Sequence, residues 1–136
     1  MATKNQTKKK VYRFTDTQKD HIDRWMHALR FGNFKQTRNV MSNKKSGGYC
    51  PLGVACEVYR VETGNGEWVS GKSFFTSNAR SFKVKTTVSG NIPPAAVMKW
   101  YGIDVNFADA VAAKCDNSHC SMSEIADYIE DLVYGF

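Results

Sequence analysis

Thr15 stands three residues ahead of Gln18, and apolar residues then recur at Ile22, Trp25, Met26 and Leu29. A hydroxyl and an amide at that spacing can each accept a backbone N–H of the other, which marks a helix start. The i, i+3, i+4, i+7 rhythm places four large side chains on one helical face. The pattern predicts a helix over 16–31, with Gly32 as its C-cap. Phe14 is expected to staple against that helix, and His21 and His27 lie off its stripe and are expected to be exposed. The device returns near the other end, where Ser121 and Glu124 precede Ile125, Ile129, Leu132 and Val133. Two such stripes need a common core, and 136 residues suffice for one.

Between these helices the signals change. Residues 33–49 read as irregular or hairpin-like, with 38–41 as a short strand and SNKKSGG as turn chemistry. Pro51 suits a first helical position, and Leu52, Ala55, Cys56 and Tyr59 repeat at helical spacing, so a helix is expected over 51–60 with Cys50 at its N-cap. Phe82, Val84, Thr86 and Val88 alternate with Lys83, Lys85 and Thr87, the pattern of one half-buried strand. Phe74 and Phe75 are candidates for its partner strand, and Gly64, Gly66 and Gly71 mark turns. Pro93 and Pro94 open a short helix through Tyr101, and Asn106 is the expected cap of the next one, which carries Phe107, Val111 and Cys115. The reading is α+β: a single helix-dominated domain over 15–136 with a small antiparallel sheet in the middle of the chain. Residues 1–14 are polar and basic, the composition of a flexible tail.

Charge narrows the partners. The formal net charge is +6, and the six cations Arg24, Arg30, Lys35, Arg38, Lys44 and Lys45 lie between Arg24 and Cys56 with no acid among them. Lys4, Lys8, Lys9, Lys10 and Arg13 make the tail a second basic segment. A surface of this sign attracts anionic partners, nucleic acid above all. Residues 100–136 carry seven acids against Lys114 and can fold back on the basic stretch or support head-to-tail self-association. No apolar run approaches the roughly 18 residues of a membrane span. The N-terminal lysines are not followed by an apolar segment, which argues against a secretory signal. A reducing cytoplasm is therefore the expected setting, with free thiols.

Cys50, Cys56, Cys115 and Cys120 are spaced C-x5-C and C-x4-C, where structural zinc sites prefer tighter pairs, so no metal is assigned. Cys50 is the one candidate nucleophile: a helix N-terminus favours a thiolate. A thiol hydrolase also needs a base, and none of His21, His27 and His119 lies in a motif that places it there. The plainer reading packs Tyr49 and Cys50 at a helix entry. The glycines form no phosphate loop, and no cofactor is implied.

Four blocks in order resemble a family of small, mostly uncharacterised bacteriophage and prophage proteins. WMHALRFGNFKQ (25–36) matches its LRxGxxxQ block, GYCPLGVAC (48–56) its GYCCLGVLC block, IPPAAVMKWYGI (92–103) its LPxxVxxWxGL block, and CDNSHCSMSEIADYIE (115–130) its LNDxGxSFxEIADxIE block. Pro51 replaces the second cysteine of the CysCys pair, Asp116-Asn117 inverts the Asn-Asp pair, and Cys115, His119 and Cys120 stand where the pattern has other residue types. The resemblance covers about residues 22–131, leaves the basic tail outside, and implies a phage setting and a shared fold without an activity. The expected function is a non-enzymatic accessory protein that binds nucleic acid or a nucleotide-like ligand. Gln36, Arg38, Lys44, Lys45 and Tyr49 are its candidate ligand-binding residues, assisted by the tail. Host machinery or defence is the expected target. A Cys50 hydrolase and a virion-associated or protein-interaction module are the alternatives.

Overall fold

A computed structural model describes residues 12–71, 73 and 76–135. The chain order is α1 (Asp16–Phe31), β1 (Ser42–Asn43), β2 (Gly48–Tyr49), α2 (Pro51–Thr63), β3 (Glu67–Ser70), β4 (Ala79–Val84), β5 (Thr87–Ser89), α3 (Ala95–Tyr101), α4 (Val105–Ser118) and α5 (Met122–Tyr134). The fold is α+β, with a small antiparallel sheet in the middle of the chain, as expected. Lys4, Lys8, Lys9, Lys10, Phe74 and Phe75 lie outside the described residues.

Both capping boxes form. Thr15 Oγ1 accepts the N–H of Gln18 while Gln18 Oε1 accepts that of Thr15, and Ser121 and Glu124 do the same for α5. Each box satisfies two N–H groups that a helix start otherwise leaves without partners. The stripe residues Ile22, Trp25, Met26 and Leu29 are buried, and α1 packs against α5, α2 and α3. Trp25 and Tyr101 bring polar atoms into this core and satisfy them on α2: Trp25 Nε1 donates to the Pro51 carbonyl at 2.9 Å, and the Tyr101 hydroxyl donates to the Ala55 carbonyl at 2.7 Å. A buried donor without a partner costs about 1–3 kcal/mol, so these bonds fix where α2 sits. Gly53 lets the chain approach there: a Cβ at this position would lie 1.9 Å from the Met41 carbonyl oxygen.

The sheet runs β2-β1-β4-β3, with β5 also on β4. Asn43 Oδ1 accepts the N–H groups of Lys45 and Ser46, and Gly47 takes a positive φ, so SNKKSGG does close a hairpin. Its strand is β1, however, not 38–41. The expected strand over 82–88 is two strands. Lys85 adopts φ 57 and the chain reverses after Val84, pairing Val84 with Thr87 and Lys83 with Val88. Alternation thus carries through a tight turn, and Val88 ends 51% exposed. The partner of β4 on its other edge is β3.

Other local expectations shift for identifiable reasons. Asp104, not Asn106, caps α4, because its carboxylate accepts the Phe107 N–H at 2.8 Å. Phe14 packs edge-on to Phe107 of α4, its ring centroid 6.2 Å away. His21 is half-buried: its ring stacks on Trp100 at 3.6 Å and its Nδ1 lies 2.7 Å from the Trp100 carbonyl. His27 is exposed, as expected. Helix α2 extends to Thr63, where Gly64 caps it in the left-handed conformation.

Candidate functional site

The β pairings assemble a site that no single segment of the chain spells out. Ser42 lies opposite both Tyr49 and Arg80, and Trp68 lies opposite Phe82. Paired residues share a sheet face, so Tyr49, Arg80 and Trp68 converge on the side facing α2. Arg80 Nε donates to Ser42 Oγ at 2.9 Å, and Nη2 donates to the Tyr49 hydroxyl at 3.2 Å. The guanidinium carbon lies 5.7 Å from the Tyr49 ring centroid and 5.4 Å from that of Trp68, within cation–π range of both. Phe34 closes the cluster, edge-on to Tyr49 at 5.4 Å.

The partners of Arg80 are neutral. The carboxylate nearest to it in effect, Glu57 on α2, is held elsewhere. It accepts from Arg60 at 2.9 and 2.6 Å and from Trp68 Nε1 at 3.0 Å. Burial alone pushes the Glu57 carboxyl upward, but the Arg60 and Trp68 hydrogen bonds outweigh it, with help from the charges of Arg60 and Arg80, and hold it below its ordinary value. The hydrogen bonds of Arg80 thus go to two hydroxyls, and two of its five N–H donors are used in them.

The expected ligand residues divide. Lys44 and Lys45 are exposed on the β1–β2 turn, Lys35 is exposed beside the neighbouring edge, and none of the three has an acidic partner among the described residues. Tyr49 joins Arg80. Gln36 and Arg38 turn to the α4–α5 junction instead: Gln36 Nε2 donates to the Cys120 carbonyl at 2.8 Å, and Arg38 Nε donates to the Cys115 carbonyl at 3.1 Å. Carbonyls near a helix C-terminus lack intrahelical partners and attract such donors. Arg13 is exposed. Trp68, Arg80 and Glu57 were not singled out from sequence, because only strand register brings them together.

Cys50 caps α2 without a side-chain hydrogen bond. Burial pushes its thiol up to about 12, overriding the Gly53 and Leu52 N–H groups at the helix start, which pull it down. This reverses the expectation of a favoured thiolate, because desolvation penalises the charged form more than the helix end supports it. Cys50 shares a cavity of about 270 Å³ with Cys115, Asp109 and Asp116. Of the histidines, His21 is engaged with Trp100, His27 lies beside the Phe31 ring, and His119 is the C-cap of α4. All four thiols are free. Among the described residues no group of three or more His, Cys, Asp and Glu is arranged to hold a metal ion, and no helix is long and apolar enough to cross a membrane.

A family model described as "Domain of unknown function (DUF8296)" matches residues 17–130. No curated protein and no solved structure matches the chain.

Proposed function

The chain belongs to the DUF8296 family, and from that premise we propose that it is a phage-encoded, non-enzymatic accessory protein that binds nucleic acid at its sheet edge. Phosphates engage Lys35, Lys44, Lys45 and Arg80, and a base rests against the Tyr49 and Trp68 side of the cluster. The observation that carries this reading is the state of Arg80: its guanidinium is held by two hydroxyls and two aromatic rings and is paired with no carboxylate among the described residues. An oriented guanidinium matches phosphate geometry, and aromatic side chains beside cations suit single strands. The basic tail adds charge to the same partner. The four sequence blocks support the phage setting, with the host cytoplasm as compartment and host machinery or defence as the process affected.

Fluorescence anisotropy with labelled single- and double-stranded oligonucleotides tests this reading. Full-length protein should bind at low salt and weaken as salt rises. Arg80→Gln should lower affinity about tenfold and reduce the salt slope by about one contact. Arg24→Gln should leave both unchanged, since Arg24 is paired with Asp20 and Glu62. A chain starting at Phe14 separates the tail's share from that of the sheet edge. Absence of binding to either oligonucleotide at low salt removes the proposal. A mononucleotide that binds with little salt dependence would replace nucleic acid by a nucleotide-like ligand.

A further inference from the structure

A second surface lies between α1 and α2 and has the opposite electrostatic character. The groove holds about 510 Å³, within the range of ligand-sized clefts. Its apolar lining is Ala28 and Phe34 on one side and Val58 and Val61 on the other. Ala28 sits where the stripe of α1 would otherwise present a larger side chain, so the seam opens there. Val58 and Val61 are one helical turn apart on α2 and present one apolar ridge. Val61 is 66% exposed, and Phe31, packed on the ring of groove residue His27, is 67% exposed. These are the two most exposed large apolar residues described; Val61 lines the groove and Phe31 reaches it only through the His27 ring.

The rim is acidic. Asp23, Glu57 and Glu62 line the groove against Arg24 as the one guanidinium. Arg24 is itself shared between Asp20 and Glu62, at 3.2 and 3.3 Å. Among the lining residues three carboxylates stand against one guanidinium, with Glu57 held by Arg60 and Asp23 accepting the Tyr134 hydroxyl at 2.8 Å. In a chain of net charge +6 this is a local reversal. It repels a phosphate backbone and attracts a cationic segment.

We propose that the α1–α2 groove docks a basic amphipathic helix of another protein, with large aliphatic side chains seated between Phe34 and Val61 and lysine or arginine facing Asp23 and Glu62. An apolar cleft flanked by helix residues is the complement of a further amphipathic helix read at i, i+3, i+4 and i+7. Charge selects the partner and its orientation, and the buried side chains supply most of the affinity. The groove excludes Lys44, Lys45 and Arg80, so this inference stands apart from the nucleic-acid reading; the two surfaces meet only at Phe34 and Glu57.

The test is anisotropy of two labelled helical peptides on full-length protein. Both carry leucine at i, i+3, i+4 and i+7. One has lysine on its polar face and the other has glutamate. The lysine peptide should bind in about the micromolar range and the glutamate peptide about tenfold or more weakly. Val61→Lys, at an exposed position, should weaken the lysine peptide about tenfold while the thermal midpoint is retained. Glu62→Lys should narrow or reverse the preference between the peptides. Lys44→Ala should change neither. Equal binding of both peptides, failure of the lysine peptide to bind, or indifference to Val61→Lys overturns the proposal. Concentration-dependent dimerisation abolished by Val61→Lys would also overturn it, in favour of a second copy as the occupant.

Discussion

The cations of the helices and those of the sheet edge meet different fates. On the helices, Arg24 lies between Asp20 and Glu62, Arg60 forks onto Glu57, and Arg30 reaches Asp127 and Glu130 on α5. At and beside the β1–β2 hairpin, Lys35, Lys44 and Lys45 have no acidic partner among the described residues, and on the inner strand β4 Arg80 rests on hydroxyls and rings. The one-signed run between Arg24 and Cys56 is therefore not one basic surface. Its helical part is answered by acids from α2 and α5, some a hundred residues away in the chain. Its hairpin part is left open. A charge run in a sequence overstates the usable field wherever the fold brings a remote opposite charge onto it.

The largest expected effect contrasts how tightly the two regions are built. Gly53→Ala would place a Cβ 1.9 Å from the Met41 carbonyl, a backbone atom that cannot move without shifting the entry to β1. The expected loss is about 3 kcal/mol or more in urea unfolding. Gly47→Ala at the hairpin tip meets no neighbouring atom, and only its positive φ penalises the change. The expected loss there is about 1–2 kcal/mol. Similar losses at the two positions would mean that the helical seam is no more constrained than the open edge.

The same contrast decides what could be read in advance. The ends of α1 and the caps of α1 and α5 were legible because a capping box and a 3.6-residue period are local. Gly64 beyond α2 and Asp104 ahead of α4 are also local signals, and there nearby residues competed for the role. The sheet was harder. The 82–88 alternation hides a turn at Lys85, since side chains keep alternating apolar and polar while the backbone reverses. The site was half legible. Tyr49, Lys44 and Lys45 lie in a block with visible turn chemistry, whereas Arg80 and Trp68 reach them only through the pairing of β4 with β1 and β3. Gln36 and Arg38 were drawn off by carbonyls at the end of α4. Cys50 is buried at the entry to α2, in line with the plainer packing reading, while the burial that works against a thiolate there is not visible in the sequence.

A smaller effect separates stability from binding. Arg30→Gln removes contacts of 2.6 and 2.9 Å to two carboxylates that are largely open to water. Exposed pairs of this kind contribute little, so the expected loss is about 0.5–1 kcal/mol of unfolding free energy, fading with added salt. Oligonucleotide affinity should not change. A fall in affinity would show that the helical arginines contribute to the basic field after all, and the two regions would have to be treated as one.

The finest test lies where the regions meet. Glu57 joins Arg60 on α2 to Trp68 on β3, and its carboxyl is held below its ordinary value of 4.5: burial raises it, and the Arg60 and Trp68 hydrogen bonds more than offset that. A depressed carboxyl contributes stability that is present above the unfolded-state value and is lost as pH falls through the folded-state value. The advantage of the native protein over Glu57→Gln should therefore hold at neutral pH and shrink as pH drops below 4.5. Denaturant midpoints of both proteins along that range measure it, and a constant difference down to the acid limit contradicts the assignment. Glutamine can still accept the Trp68 N–H but carries no charge, so at neutral pH the field at Arg80 becomes more positive. Oligonucleotide affinity of Glu57→Gln should rise by about twofold, in proportion to a weak, partly screened interaction. A decrease instead would mean that Glu57 positions the Trp68 ring for the ligand more than it opposes it.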